Sequence, residues 1–139
     1  MTLCESPKTG CDIEEISRFR LDRTMDAKFL CRFFTTAELD YCFSFRDPAP
    51  HLAARYCAKE AVEKALSAAG EKPVEYGDIE IGNHSSGAPF ITVLAKKKSL
   101  NKKYTIQVSM SHCRTTAMAI AIVSILPRGK ALKPAHPHK

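Results

Sequence analysis

The sequence predicts an α+β fold, with helices in the first half, one of them long and central, packed on an antiparallel β-sheet built mainly from the second half. Three observations predict it. From Pro50 to Ala69 the chain is rich in Ala, Glu, Lys and Leu; it opens on a proline suited to a first helical turn and stops at Gly70, where a helix end favours glycine. After Asp78 the pattern changes to short apolar and β-branched runs: Asp78–Gly82, Phe90–Leu94 and Tyr104–Met110, with a Gly87-Ala88-Pro89 turn between the first two. Met118–Leu126 is apolar on both faces, which marks a central strand or one sealed by a partner.

The remaining elements follow in order. Ile13, Ile16 and Phe19 recur at helical spacing, predicting a short amphipathic helix after Gly10-Cys11-Asp12. Phe29, Leu30, Phe33 and Phe34 form an apolar cluster. Thr35 with Glu38 reads as a capping box, opening a helix that turns Leu39, Cys42 and Phe43 inward. Asp47-Pro48 is a break. The long helix should bury Leu52, Tyr56, Val62, Ala65, Leu66 and Ala69. Residues 1–126 are expected to form one domain. The tail, residues 127–139, holds Pro127, Pro134 and Pro137 among basic residues, has little to bury, and is expected to be mobile.

Composition narrows the function classes. The chain has 139 residues, 45% of them apolar and 26% charged, which excludes disorder as the whole answer. No apolar run approaches the ~18 residues of a membrane span. The first residues lack a secretory pattern, so six free thiols in a reducing cytoplasm are expected from the six cysteines. The net charge is +6, which favours polyanionic partners: nucleic acid, a phosphorylated small molecule or an acidic protein. Lys96, Lys97, Lys98, Lys102 and Lys103 lie in a basic turn, either a soluble hairpin tip or a dock for phosphate or an acidic surface. There is no phosphate-binding Gly-rich loop. There is no Trp, and no aromatics interleave the lysines, which counts against nucleic-acid stacking.

Three stretches could carry chemistry. Asp12, beside Gly10, is either a turn residue or a carboxylate open to a cation. Glu60 and Lys64 share a helical face. As a solvated pair they are worth ~0.3–0.5 kcal/mol; as a functional pair, the carboxylate holds Mg2+ and the ammonium holds the phosphate the ion bridges. Arg55 and Lys59 would add positive charge there. His112 ends an apolar strand beside Ser109 and Ser111, but no nucleophile elbow accompanies them. A small basic module that binds RNA or an acidic protein without catalysis is the alternative reading of the same charges.

In order and spacing, these pieces resemble the holo-acyl-carrier-protein synthase type of phosphopantetheinyl transferase. Gly10-Cys11-Asp12-Ile13-Glu14-Glu15-Ile16 is similar to its opening Gly-x-Asp motif, and Arg55-Tyr56-Cys57-Ala58-Lys59-Glu60-Ala61-Val62-Glu63-Lys64-Ala65 to its signature helix. Asp78-Ile79-Glu80-Ile81, Gly87-Ala88-Pro89 and Val108-Ser109-Met110-Ser111-His112 resemble three further segments. The resemblance implies transfer of the phosphopantetheine arm of coenzyme A to a serine of an acidic acyl carrier protein, with Mg2+, in fatty-acid biosynthesis. It implies Asp12 and Glu60 as metal ligands, and Asp12, Glu60 and Lys64 as the catalytic set. Arg55, Lys64, Pro89 and His112 would contact coenzyme A, and Arg18 would face the carrier. It also implies a homotrimer with sites at subunit boundaries, and involves neither nucleic acid nor a membrane. The chain departs from the pattern where Glu5–Thr9 is polar, so that a first strand would be short or irregular, and at Asp47 and His51, where a basic and a bulky apolar residue are usual.

Overall fold

The computed structural model describes residues 5–127; the tail predicted to be mobile lies, but for its first residue, outside them. Two antiparallel sheets and four α-helices alternate along the chain. They are β1 (Lys8–Glu15), α1 (Ala27–Phe33), α2 (Thr36–Phe43), α3 (Ala49–Ala68), β2 (Ile79–Asn83), β3 (Pro89–Val93), α4 (Leu100–Lys103), β4 (Tyr104–His112) and β5 (Thr116–Ile125). Short 3-10 turns occupy Ile16–Phe19, Tyr76–Asp78 and Ala95–Lys97. The larger sheet has the order β1-β5-β4, and β2 pairs with β3.

The predicted helix at residues 13–19 is corrected. Backbone pairing with β5 runs unbroken from Lys8 to Glu15, and only Ile16–Phe19 is helical. Three-residue spacing misled because Ile16 and Phe19 are buried by the 3-10 turn, while Ile13 is 67% exposed on the sheet's far face. The polar stretch before Gly10 therefore does not shorten the strand. It also makes the larger sheet a joint product of both halves of the chain. The capping box forms as predicted, with Thr35 and Glu38 exchanging side-chain and backbone bonds.

α3 lies across the larger sheet on a seam of small residues: Gly10 of β1 and Ala117, Ala119 and Ala121 of β5 face Ala53, Cys57, Ala61 and Ala65 of the helix, all buried. Gly10 is required at the seam, since a Cβ there would stand 2.0 Å from the carbonyl oxygen of Ala61 and 2.8 Å from the amide nitrogen of Ala65. Both obstacles are backbone and cannot rotate away. Gly70 closes the helix at φ +86, a left-handed value that glycine adopts freely. Leu52, Val62, Ala65 and Leu66 are buried as predicted; Tyr56 and Ala69 are half-buried.

β5 is central, as its double apolar face predicts, yet only one face is covered. Ile13, Met118 and Ile120 on the other are 67%, 47% and 40% exposed and adjoin one another in register. Cys42 and Cys57 are buried in α2 and α3, and burial pushes their thiols up to about 11 and about 12, so they behave as small hydrophobes. No disulfide joins the described cysteines. Among the described residues, no helix is long and apolar enough to cross a membrane. The lysine-rich stretch between β3 and β4 is a 3-10 turn followed by α4.

Candidate active site

α3 divides the predicted residues into two groups. On strand β1 the side chains of Asp12 and Glu14 share the face on which Gly10 abuts the helix, and Lys64 of α3 reaches back to that face. Lys64 Nζ donates to the carbonyl of Cys11 at 2.9 Å and stands 3.3 Å from Asp12 Oδ1. Glu60 lies one turn earlier, about 6 Å along the axis. Asp12 Oδ2 is buried with no hydrogen-bond partner.

Burial holds the Glu14 carboxyl above its ordinary range; the negative charges of Asp12 and, more weakly, Glu60 push the same way, against the Arg18 guanidinium bonded to it. Glu14 therefore senses the charge of both other carboxylates. Glu60 Oε1 accepts from the Tyr76 hydroxyl, and the Tyr56 hydroxyl lies 3.5 Å from that of Tyr76. Burial and the bond to Glu60 hold the Tyr76 phenol protonated, well above its ordinary value. A cleft of about 220 Å³ adjoins Glu60, lined by Glu63, Val74 and Tyr76 among others.

The second group occupies the opposite flank. Arg55 is about 140° around the helix from Glu60. It is 2% exposed, stacks over the Tyr41 ring at 4.1 Å and donates to Asn83 Oδ1. Its Nε is buried without a partner. Asn83 in turn donates to the carbonyl of Gly87 at 2.9 Å, holding the loop that leads into Pro89, its register partner. His112, at the end of β4, has its ring 6.1 Å from that of His51, which stacks on Phe45 at 3.7 Å. Burial, then the positive charges of Arg55 and His112, hold the His51 imidazole below its ordinary value.

One row of the larger sheet fixes the separation. Glu14, Ala117 and His112 are register neighbours, so about 10 Å divides the outer two. Cys57 lies over the middle of that row, its Sγ 3.5 Å from the Ala117 carbonyl oxygen. The structure thus brings Asp12 and Lys64 into contact, with Glu60 one helical turn away, and sets Arg55, Pro89 and His112 apart from them across the helix.

Lys59 does not contribute charge to either flank. It is enclosed, with Nζ 2.6 Å from Glu38 Oε1 and 2.9 Å from the carbonyl oxygens of both Phe33 and Tyr76. Arg18 is exposed, as a docking residue would be. Glu14, Tyr76, Asn83 and His51 enter the site without having been singled out as site residues from sequence. Glu14 was hidden by the helical reading of residues 13–19; once β1 runs to Glu15, period two puts it on the face of Asp12. Tyr76 reaches Glu60 across a stretch of sequence that carries no periodic signal.

The β1 flank offers carboxylate oxygens beside an ammonium, with Asp12 Oδ2 buried and without a hydrogen-bond partner. That chemistry suits a hard divalent cation with a phosphate. Among the described residues, no three His, Cys, Asp or Glu side chains converge to cage an ion by themselves. One or two carboxylates plus substrate phosphate oxygens is the mode magnesium commonly uses, so the residues present fit it.

An antiparallel sheet under a long helix, with acids and a lysine at their seam, defines a class, and the chain belongs to the 4'-phosphopantetheinyl transferase superfamily, whose family model matches residues 8–123. A relative from Chlamydia muridarum named holo-acyl-carrier-protein synthase is 40% identical over 122 residues, 87% of this chain and 97% of that protein. The solved acyl carrier protein synthase of Mycobacterium tuberculosis superposes with TM-score 0.68 at 31% identity, covering 86% of this chain and 97% of that one. The Helicobacter pylori holo-acyl-carrier-protein synthase, solved in complex with coenzyme A, gives TM-score 0.70 at 29% identity, covering 84% and 99%.

Proposed function

We propose that this chain is a holo-acyl-carrier-protein synthase: it transfers the 4'-phosphopantetheine arm of coenzyme A to a serine hydroxyl of an apo acyl carrier protein, releasing adenosine 3',5'-bisphosphate, in the cytoplasm and in the service of fatty-acid biosynthesis. Family membership supports the reaction. The observation that carries the residue roles is the Asp12–Lys64 contact with Asp12 Oδ2 left unpartnered beside it.

Asp12 and Glu60 would hold Mg2+, which when bound neutralises charge on the pyrophosphate of coenzyme A. Lys64 binds the same pyrophosphate and stabilises the negative charge that develops as the phosphorus–oxygen bond to the leaving bisphosphate breaks. Glu60 takes up the proton of the carrier serine as its oxygen bonds to phosphorus. Arg18, exposed beside the site, faces the acidic carrier.

Arg55, Pro89 and His112 contact coenzyme A from a second copy. Their place across α3 supports this reading: within one copy the helix separates them from Asp12, and a subunit boundary would bring the two groups together. The exposed strip of Ile13, Met118 and Ile120 supplies a surface for such assembly, consistent with a homotrimer.

The test is incubation with coenzyme A, Mg2+ and an apo carrier, read by intact mass. The carrier should gain one phosphopantetheine; no gain across several carriers overturns the reading.

A further inference from the structure

We propose that Tyr76 is a positioning residue for Glu60, its hydroxyl engaging Oε1 and so committing the other carboxylate oxygen to the side of Asp12 and Lys64. The inference rests on the transfer reading given above. The carbonyl and the ring of Tyr76 are both held by other groups. Its carbonyl accepts from Lys59 Nζ at 2.9 Å, and that ammonium is locked by Glu38 at 2.6 Å. Its ring meets Phe33 edge-on at 4.7 Å and lies nearly parallel to Tyr56 at 5.6 Å. With main chain and ring fixed, the hydroxyl has one direction, and Glu60 lies in it. The Tyr56 hydroxyl backs it at 3.5 Å.

An unanchored glutamate samples several rotamers, and ligand binding must freeze them. A hydrogen bond to the oxygen that faces away removes that freedom beforehand. Removing such an outer bond from a metal-binding group typically costs ~10–100-fold in metal affinity. The anchor is thus a relay of position: the sealed Lys59–Glu38 pair sets the Tyr76 backbone, and the Tyr76 hydroxyl sets Glu60.

Tyr76→Phe keeps ring and carbonyl and deletes only the hydroxyl. Mn2+ titrated into the full chain with coenzyme A should bind roughly tenfold or more weakly to the variant than to wild type. In the transfer assay kcat should fall by a similar factor, KM for the carrier should hold, and the urea midpoint should hold. Tyr76→Leu, which also removes the ring contacts, should lower the urea midpoint as well. Wild-type Mn2+ affinity in Tyr76→Phe overturns the assignment, as does a wild-type chain that binds no Mn2+. Wild type that binds Mn2+ yet modifies no carrier overturns the transfer reading instead, and the Mn2+ comparison then decides the role of Tyr76.

Discussion

Lys59 and Lys64 stand on the same helix, and each faces one carboxylate, Glu38 at 2.6 Å and Asp12 at 3.3 Å. The surroundings differ completely. Both side chains of the Lys59–Glu38 pair are 0% exposed, whereas Lys64 is 53% and Asp12 13% exposed. In the first pair the valences are filled: Glu38 also accepts from the backbone of Thr35 at 2.8 Å and of Ile81 at 3.1 Å. That single ion pair therefore ties α2, α3, β2 and the Tyr76 turn together. In the second, an Asp12 oxygen is left over. A pair whose donors and acceptors are all satisfied internally fixes architecture; a pair with an unfilled valence at a surface can take a ligand.

The largest effect should come from opening the sealed pair. Glu38→Ala leaves a buried ammonium uncompensated and should cost about 3–5 kcal/mol in urea unfolding. A loss under ~1 kcal/mol would break the contrast between the two pairs. Removing the exposed cation should do the opposite. Lys64→Ala should leave stability within ~1 kcal/mol of wild type, because a half-exposed pair is screened by solvent. It should nonetheless slow carrier modification roughly a hundredfold in single turnover, the scale of losing one charge-stabilising donor. Equal damage to stability and rate would erase the distinction.

His51 is intermediate, half-buried, its burial only weakly offset by the Asp47 carboxylate, and should give the smallest effect. Its folded-state value is lowered from 6.5, so as pH falls the unfolded chain takes up the proton first. Its contribution to stability is full above that ordinary value and declines as pH drops below it toward the folded value, flattening beyond. His51→Gln should shallow this decline in urea midpoints measured from about pH 7.5 to about pH 5. An unchanged slope would remove His51 as the titrating group.

Much of this was legible beforehand. The long helix and its glycine stop, the capping box at Thr35 and the four later strands rest on local pattern, which sequence carries directly; the Asp12–Lys64 seam joins distant stretches and was implied only by the family resemblance. What failed is non-local. Ile13, Ile16 and Phe19 mimic a helix because the register that makes residues 8–15 a strand is supplied by β5, at the far end of the chain. Lys59 looked like one more cation on a charged helix; only the arrival of Glu38, Phe33 and Tyr76 around it shows it as core. The division of the site across α3, by contrast, was within reach of sequence spacing. Arg55 and Glu60 are near neighbours in sequence, and helical rotation alone sends them to opposite flanks.

At Gly10 main chain meets main chain, with no side chain between β1 and α3 to act as a spacer. The gap between the acid-bearing strand and the lysine-bearing helix is consequently gauged by peptide groups, whose dimensions do not vary with sequence. Residues around the seam can drift in size and polarity while that gap keeps its width.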